Sequence, residues 1–418
     1  MVQPTPSPSQ PGALAGIRVL DLTRVLAGPW CTQTLADLGA HVVKIEKPGL
    51  GDDTRHWGPP FLRTADGEMS EQAAYYACCN RNKQSLTLDI ASPEGQDIVR
   101  QLAAHSDILV ENFKVGGLEA YGLDYASLSA LNTQLIYCSI TGFGQTGPYA
   151  RRAGYDLMVQ AMSGMMSITG HPDGAPGGGP LRVGVAITDI YAGLYASVGI
   201  LAALQARHAT RRGQHIDISL LDVGMAVLAN QGVGYLNSGA IPQRQGNSHP
   251  SLAPYQDFPT SDGTMLLAIG NDGQFGRFCA AVHHPEWSAD QRFSTNTQRV
   301  KHREILVCLI SSVTRTRTTG EWVALLEGIA VPCGPINDIG QAFKDPHVQK
   351  RRIAVEMQRE SGDGIDMIST IASPLRLSAN PPQLHSAPPA LGQHTSEVLA
   401  GIGLSQADQE ELRRRGII

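Results

Sequence analysis

Residues 17–46 confine the chain to a narrow set of folds. Ile17–Leu22 is apolar and reads as a buried strand, and His41–Glu46 as a second one. Gly28–Leu38 between them reads as a helix, with Pro29 in its first turn, where proline is tolerated. Two apolar strands joined through a helix over about 30 residues form a βαβ unit, which implies a parallel sheet with right-handed crossovers. Strands over Ser85–Asp89, Ile108–Glu111, Leu135–Thr141 and His215–Leu220 continue the alternation, with helices from about Pro93 and over Tyr191–Arg207. The expected fold class is α/β.

Ligands of such sheets bind beyond the C-terminal strand ends. The first of these turns, Thr23–Gly28, lacks G-x-G-x-x-G, which argues against a nicotinamide or flavin site. The loop Gly49–Phe61 combines Gly and Pro with Asp52, Asp53, Arg55, His56 and Trp57, a composition more typical of functional loops than of connections. Asn80-Arg81-Asn82-Lys83 places two bases ahead of a strand, and Asn112–Leu118 is either a ligand wall or an ordinary βα turn. Ala153–Asp156 opens a helix carrying Met158, Met162, Met165 and Met166, which marks a core face or a slot for flexible acyl chains. The glycines at 177–179 form no phosphate loop, because no Lys-Ser/Thr follows them.

One carboxylate stands out. In Arg182–Gly193 an apolar segment ends at Asp189, at or just before a helix of small residues that must be buried. Asp189 is either an N-cap or something more. A buried carboxylate is costly without a role, the helix dipole favours its ionised form, and Ala186, Ala192 and Gly193 leave room for close approach. Such a group can act as a covalent nucleophile.

Composition excludes several classes. With net charge −5 and pI near 6.2 there is no basic stripe, so nucleic acid is not expected as a partner. No apolar run reaches the roughly 18 residues of a membrane span, and residues 1–12 read as a disordered tail rather than a signal peptide. Seven cysteines with no CxxC fit a reducing cytoplasm, no cluster has metal-ligand spacing, and no bound cofactor is expected. The chain divides into the tail over 1–12, a large domain over 13–237, a linker over 238–254, a small domain over 255–350, and a segment over 351–418 returning to the large domain.

These features together resemble the class III CoA-transferases, the CaiB/BaiF family of formyl-CoA:oxalate and carnitine CoA-transferases. The matching segments are Gly16–Leu22, Ala27-Gly28-Pro29, Glu111-Asn112-Phe113, Gly154-Tyr155-Asp156, Thr188-Asp189, Gly213-Gln214, Gly334–Asn337 and Leu391–Thr395. Asp21–Pro29, Gly51–Arg55, Asn80–Lys83 and Pro254-Tyr255-Gln256 are most similar to the succinyl-CoA:glutarate branch. The resemblance implies a Rossmann-like parallel-sheet large domain with a smaller α+β domain, in a homodimer of interlocked rings. It implies that Asp189 attacks an acyl-CoA thioester, giving a mixed anhydride and then an aspartyl-CoA thioester from which an acceptor acid collects CoA. Coenzyme A and acyl-CoA are then substrates, with contacts near Val25, Lys47, Asn112 and Phe113. The family's CoA-contacting Arg falls at Ala120, so Arg81 or Lys83 is expected to replace its charge. Tyr155 matches the family's active-site tyrosine. The family's mobile glycine loop falls at Gly270–Gln274, where Gly270, Asn271 and Gly273 are candidates and Asn271 and Asp272 interrupt the glycines. The expected donor is succinyl-CoA and the acceptor a small dicarboxylate or sulfinate-type acid. Arg24, Arg55 and His56 are the candidates for holding its second charge, because a guanidinium can take a carboxylate in two hydrogen bonds.

Two rivals share the fold. A 2-methylacyl-CoA racemase needs His before Asp where this chain has Tyr155, a poor base at neutral pH. A non-catalytic CoA-binding subunit would have no need to keep Asp189.

Overall fold

A computed structural model describes residues 11–360 and 362–418; residues 1–10 of the expected tail lie outside the described residues. The chain forms two compact units. One comprises 183–238, 349–418 and the chain up to Met165; the other comprises 166–182 and 239–348.

The first unit is built on six parallel strands: β1 (Arg18–Asp21), β2 (His41–Glu46), β3 (Lys83–Thr87), β4 (Ile108–Glu111), β5 (Ile136–Thr141) and β6 (His215–Ser219). Their order across the sheet is 3-2-1-4-5-6 in these labels. Successive side chains point to opposite faces, and both faces are covered. Val19, Val42, Val110 and Cys138 pack under α1 (Ala27–Asp37) and Ile200 and Leu204 of a long helix further on. Leu20, Val43, Leu109 and Tyr137 pack under α2 (Pro93–Ala104), with Leu399 and Leu412 from the two C-terminal helices on the same face. A short helix α3 (Asp156–Met162) precedes the long one, α4 (Ile187–Thr210).

At 24 residues, α4 is long and apolar enough to cross a bilayer by composition. It is nonetheless a core helix along one side, where Ala192, Ala196 and Ile200 are fully buried. Gly193 makes this possible: a Cβ there would stand 2.5 Å from the carbonyl oxygen of Ala27 in α1. The opposite side carries Tyr191, Leu194, Tyr195, Val198 and Leu201, all exposed.

The second unit has a three-stranded antiparallel sheet over Tyr255–Pro259, Thr264–Ala268 and Cys333–Pro335, wrapped by helices around Phe258, Met265, Phe275, Phe278 and Trp322. Residues 166–182 were expected in the large domain. They group instead with the second unit, because the Arg244 guanidinium donates to the carbonyls of Ser167 and His171 and pairs with Asp173. Two antiparallel pairs were unforeseen or only coarsely expected. Phe61–Arg63 with Met69–Ala73 falls within the first, and Ala354–Gln358 with Met367–Ile371 resolves the β-rich stretch near Met357.

Candidate functional site

The strand order reverses between β1 and β4, and an open parallel sheet leaves a crevice there. The turns leaving both strands are locked together. Asn112, just past β4, accepts a hydrogen bond from the Arg24 backbone N–H at 3.1 Å and donates to the Arg24 carbonyl at 2.7 Å. Glu111 accepts from the Phe113 N–H at 2.7 Å, which fixes the far side of the same turn. The Val25 N–H is held by both carboxylate oxygens of Asp52 at 3.2 Å. Clamped on both sides, Val25 adopts φ +72°, a conformation that a β-branched residue takes only when its surroundings impose it.

This turn forms one wall of a cavity of about 150 Å³ whose lining includes Arg24, Val25, Asn112, Phe113, Tyr155 and Asp189. Six of the residues expected to act together are thus gathered at one place. Tyr155 is delivered by a close approach: a Cβ on either Gly142 or Gly154 would stand 2.5 Å from the other's Cα, so the turn after β5 can touch the chain just before Tyr155. The helix α1 starts at the same wall, with Leu26 and Ala27 lining the cavity and no side chain capping it. The N–H groups of Ala27 and Gly28 are therefore available as donors to an anion, whereas Pro29 has none and the Trp30 N–H is already bonded to the Leu26 carbonyl at 2.8 Å.

Asp189 lies in the first turn of α4, at its third residue, and so is not the cap. Asp156 performs that task from 32 residues away. Its Oδ1 accepts from the Thr188 N–H at 2.9 Å and from the Thr188 hydroxyl at 2.7 Å. Its Oδ2 accepts from Gln160 Nε2 at 2.7 Å, and Gln160 Oε1 in turn accepts from the Val183 N–H at 2.9 Å. The Asp189 carboxylate is left without a hydrogen bond or ion pair among the described residues. Burial, followed by the negative charge of Asp156, pushes its carboxyl up to about 7. Two consequences of Asp156 are open to measurement. Asp156→Ala removes the cap and should cost about 1 kcal/mol in denaturant unfolding. Asp156→Asn keeps the Oδ1 acceptor but removes the charge, so the acid limb of any Asp189-dependent activity should move to lower pH; an unmoved limb would contradict the coupling.

Four expected binding residues are placed elsewhere. Arg55 is buried beneath the loop, with Nε and Nη2 on Glu46 at 2.8 and 2.7 Å, Nη1 on the Pro389 carbonyl, and its plane 3.6 Å from the Tyr76 ring centre. No part of it remains for a substrate carboxylate. Arg81 is spent on Asp37 and on the Ile371 carbonyl, and Lys83 on Asp21, Asn80 and the Pro29 carbonyl. Neither can stand in for the Arg that falls at Ala120. His56 bonds the Leu50 carbonyl and does not line the cavity. The physical reason is common to the three cations: each is buried against a carboxylate that it neutralises, nine residues away for Arg55, 44 for Arg81 and 62 for Lys83.

Arg24 does reach the cavity, exposed and paired with Asp53 at 3.1 Å. With Phe113 it also borders a second cavity of about 410 Å³ that Lys47 lines from the end of β2. Gly270, Asn271 and Gly273 belong to the second unit. There Asn271 caps the helix Asp272–Ala281, Gln274 Oε1 accepts from the Gly270 N–H at 2.8 Å, and Asp272 pairs with the buried Arg299 at 2.7 Å. The segment is a pinned helix start rather than a free glycine loop. One charged cavity residue escaped the sequence reading altogether. Arg152 projects from the wall near Tyr155, and its local signal was the spacing Phe143, Tyr149, Arg152.

The family model described as CoA-transferase family III matches residues 14–395. A succinate–glutarate CoA-transferase of Agrobacterium fabrum is 49% identical over 95% of this chain and 97% of its own length. The human succinyl-CoA:glutarate CoA-transferase is 42% identical over 92% of this chain and 85% of its own. A CaiB/BaiF family protein from Brucella suis, solved by crystallography, superposes with a TM-score of 0.82 at 46% identity, covering 94% of this chain and all of that one, 100%. With a matching model over most of its length, and the crevice of a doubly wound sheet where that family's motifs converge, this chain belongs to CoA-transferase family III.

Proposed function

We propose that this protein moves CoA from succinyl-CoA to a small dicarboxylate, with a sulfinate-bearing analogue as the other acceptor class, through covalent intermediates on Asp189. The observation that carries the reading is the unpartnered Asp189 carboxylate on a cavity wall beside an uncapped helix start. A carboxylate oxygen of Asp189 attacks the thioester carbonyl. The C–S bond breaks, CoA leaves as thiolate, and an aspartyl–succinyl anhydride remains. The thiolate attacks the aspartyl carbonyl, succinate departs as carboxylate, and an aspartyl-CoA thioester forms. The acceptor carboxylate repeats the two steps in reverse and Asp189 is released ionised, so no net proton moves. Carboxylates are weak nucleophiles, but held geometry supplies effective molarities on the order of 10⁵ M or more. The Ala27 and Gly28 N–H groups at the start of α1 are suited to the developing oxyanion. Val25, Asn112 and Phe113 would contact CoA at the first cavity, and Lys47 its phosphates at the second. Tyr155 would close the acyl side.

The names of the Agrobacterium fabrum and human relatives support this donor and acceptor pairing. Purified protein given succinyl-CoA and a panel of free acids should exchange CoA between acids. Epimerisation without an acceptor would indicate a racemase, and silence a binding subunit.

The active form would be a homodimer, interlocked as the family resemblance implies. The exposed stripe Tyr191, Leu194, Tyr195, Val198 and Leu201 recurs at helical spacing on the outer side of α4, with Val233, Tyr235 and Leu236 also exposed in the same unit. An apolar patch of that extent is a typical subunit surface. Interlocked chains cannot part without partial unfolding, so sedimentation at nanomolar concentration should still give dimer. A folded, active monomer would overturn this.

A further inference from the structure

Both acids in the proposed reaction, the succinyl group and the acceptor, carry a second carboxylate, and both must pass through the same cavity in turn. The wall already holds the Asp189 carboxylate, with Asp53 at its rim, so a dianionic substrate needs a cation there. Arg24 is committed to Asp53 through its guanidinium and to Asn112 through its backbone. Arg152 differs. Its guanidinium lies over the Tyr149 ring, 4.5 Å from the centre, and 5.4 Å from that of Phe143. The two rings pack edge to face at 5.6 Å, and the Arg152 N–H donates to the Tyr149 carbonyl at 2.8 Å. The guanidinium has no carboxylate partner among the described residues. Lys114 also borders the cavity and is exposed, as Arg152 is, but it has no ring against it.

We propose that Arg152, shelved on Tyr149 and Phe143 in the wall of the Asp189 cavity, is the specificity-determining residue that holds the distal carboxylate of donor and acceptor alike. A planar guanidinium stacked on a ring keeps its edge free for two parallel hydrogen bonds to a carboxylate. The inference rests on the transferase reading given above and deepens it, because it fixes the substrate class by a named contact.

The test compares glutarate with pentanoate, which carries a methyl group where glutarate has its second carboxylate. In Arg152→Leu, kcat/KM for glutarate and the KM for succinyl-CoA should worsen on the order of ten- to a hundredfold. At saturating succinyl-CoA, kcat/KM for pentanoate and inhibition by free CoA should change little, and Arg152→Lys should recover part of the glutarate activity. Should Arg152→Leu not fold, Arg152→Gln serves the same comparison. Equal losses for both acids with weaker CoA inhibition would overturn the proposal and assign Arg152 to CoA. A selective glutarate loss in Arg24→Leu instead of Arg152→Leu, or no loss in either, would also overturn it. An unmodified enzyme that transfers CoA but treats the two acids equally would refute this proposal and leave the transferase reading standing. An unmodified enzyme that transfers no CoA would refute that reading itself.

Discussion

Asp189→Ala is expected to lower turnover by roughly 10⁴-fold or more, the scale seen when a covalent nucleophile is removed. The protein should nonetheless fold normally. Asp189 makes no hydrogen bond or ion pair among the described residues, and the cap of α4 comes from Asp156 through Thr188. Asp189→Asn should likewise stay folded and lose activity, which separates chemistry from scaffold. The pH dependence has a definite sign. Burial and the Asp156 charge raise the Asp189 carboxyl to about 7, so below that pH the free enzyme holds it protonated and unreactive. The kcat/KM of the unmodified enzyme should therefore climb with pH up to about 7 and level off above it. Intact-mass spectrometry after mixing with succinyl-CoA, with no acceptor present, should find CoA attached to the unmodified protein and not to Asp189→Ala. Near-normal turnover by a clean Asp189→Ala preparation would falsify the nucleophile assignment.

The βαβ unit was legible because its apolar runs are local. Arg18–Asp21, Ala27–Asp37 and His41–Glu46 fall within a few residues of where periodicity and Pro29 put them. The hairpin Phe61–Arg63 and Met69–Ala73 has strands too short to show apolar alternation, and its local signal is the turn pair Asp66-Gly67. Gly67 adopts φ +89°, and an Asp-Gly pair between short strands is a strong hairpin signal. Asp189 was found because its signal, a carboxylate entering a helix of small residues, is also local. The cations were not decided by local signals. Sequence shows that Arg55, Arg81 and Lys83 are charged, but not that Glu46, Asp37 and Asp21 wait for them in the folded sheet. Arg152 went unnoticed for the converse reason: its value lies in lacking such a partner, and only the fold shows that.

The reassignment of Lys83 from CoA to the core leads to a large expected effect on stability. Its ammonium is wholly buried at the start of β3, 3.1 Å from Asp21 Oδ2, 2.8 Å from Asn80 Oδ1 and 3.0 Å from the Pro29 carbonyl. Asp21, at the end of β1, also accepts from the hydroxyls of Thr23 and Thr32 at 2.5 and 2.6 Å. Lys44 in β2 completes the cluster, reaching the Thr23 carbonyl at 2.6 Å and Asp52 at 3.0 Å. One set of buried charges thus ties three strands and the start of α1 to the turn that carries Arg24 and Val25. Lys83→Met fills the space but leaves Asp21 short of a positive charge, so it should cost on the order of 3–5 kcal/mol in urea unfolding, as when one partner of a buried pair is lost. Lys83→Met combined with Asp21→Asn should recover part of that, because no uncompensated charge remains. Acid offers an independent check. Burial alone would push the Asp21 carboxyl up, but Lys83, Lys44 and the two hydroxyls outweigh it and hold it down at about 2. Its stabilising contribution is therefore complete above the ordinary carboxylate value of 3.8 and lost as pH falls through about 2. In Lys83→Met that acid loss should begin at higher pH, because the main cation holding Asp21 ionised is gone. A Lys83→Met protein as stable as the unmodified chain, with the same acid transition, would show that the cluster does not hold the sheet, and would return Lys83 to the search for CoA contacts.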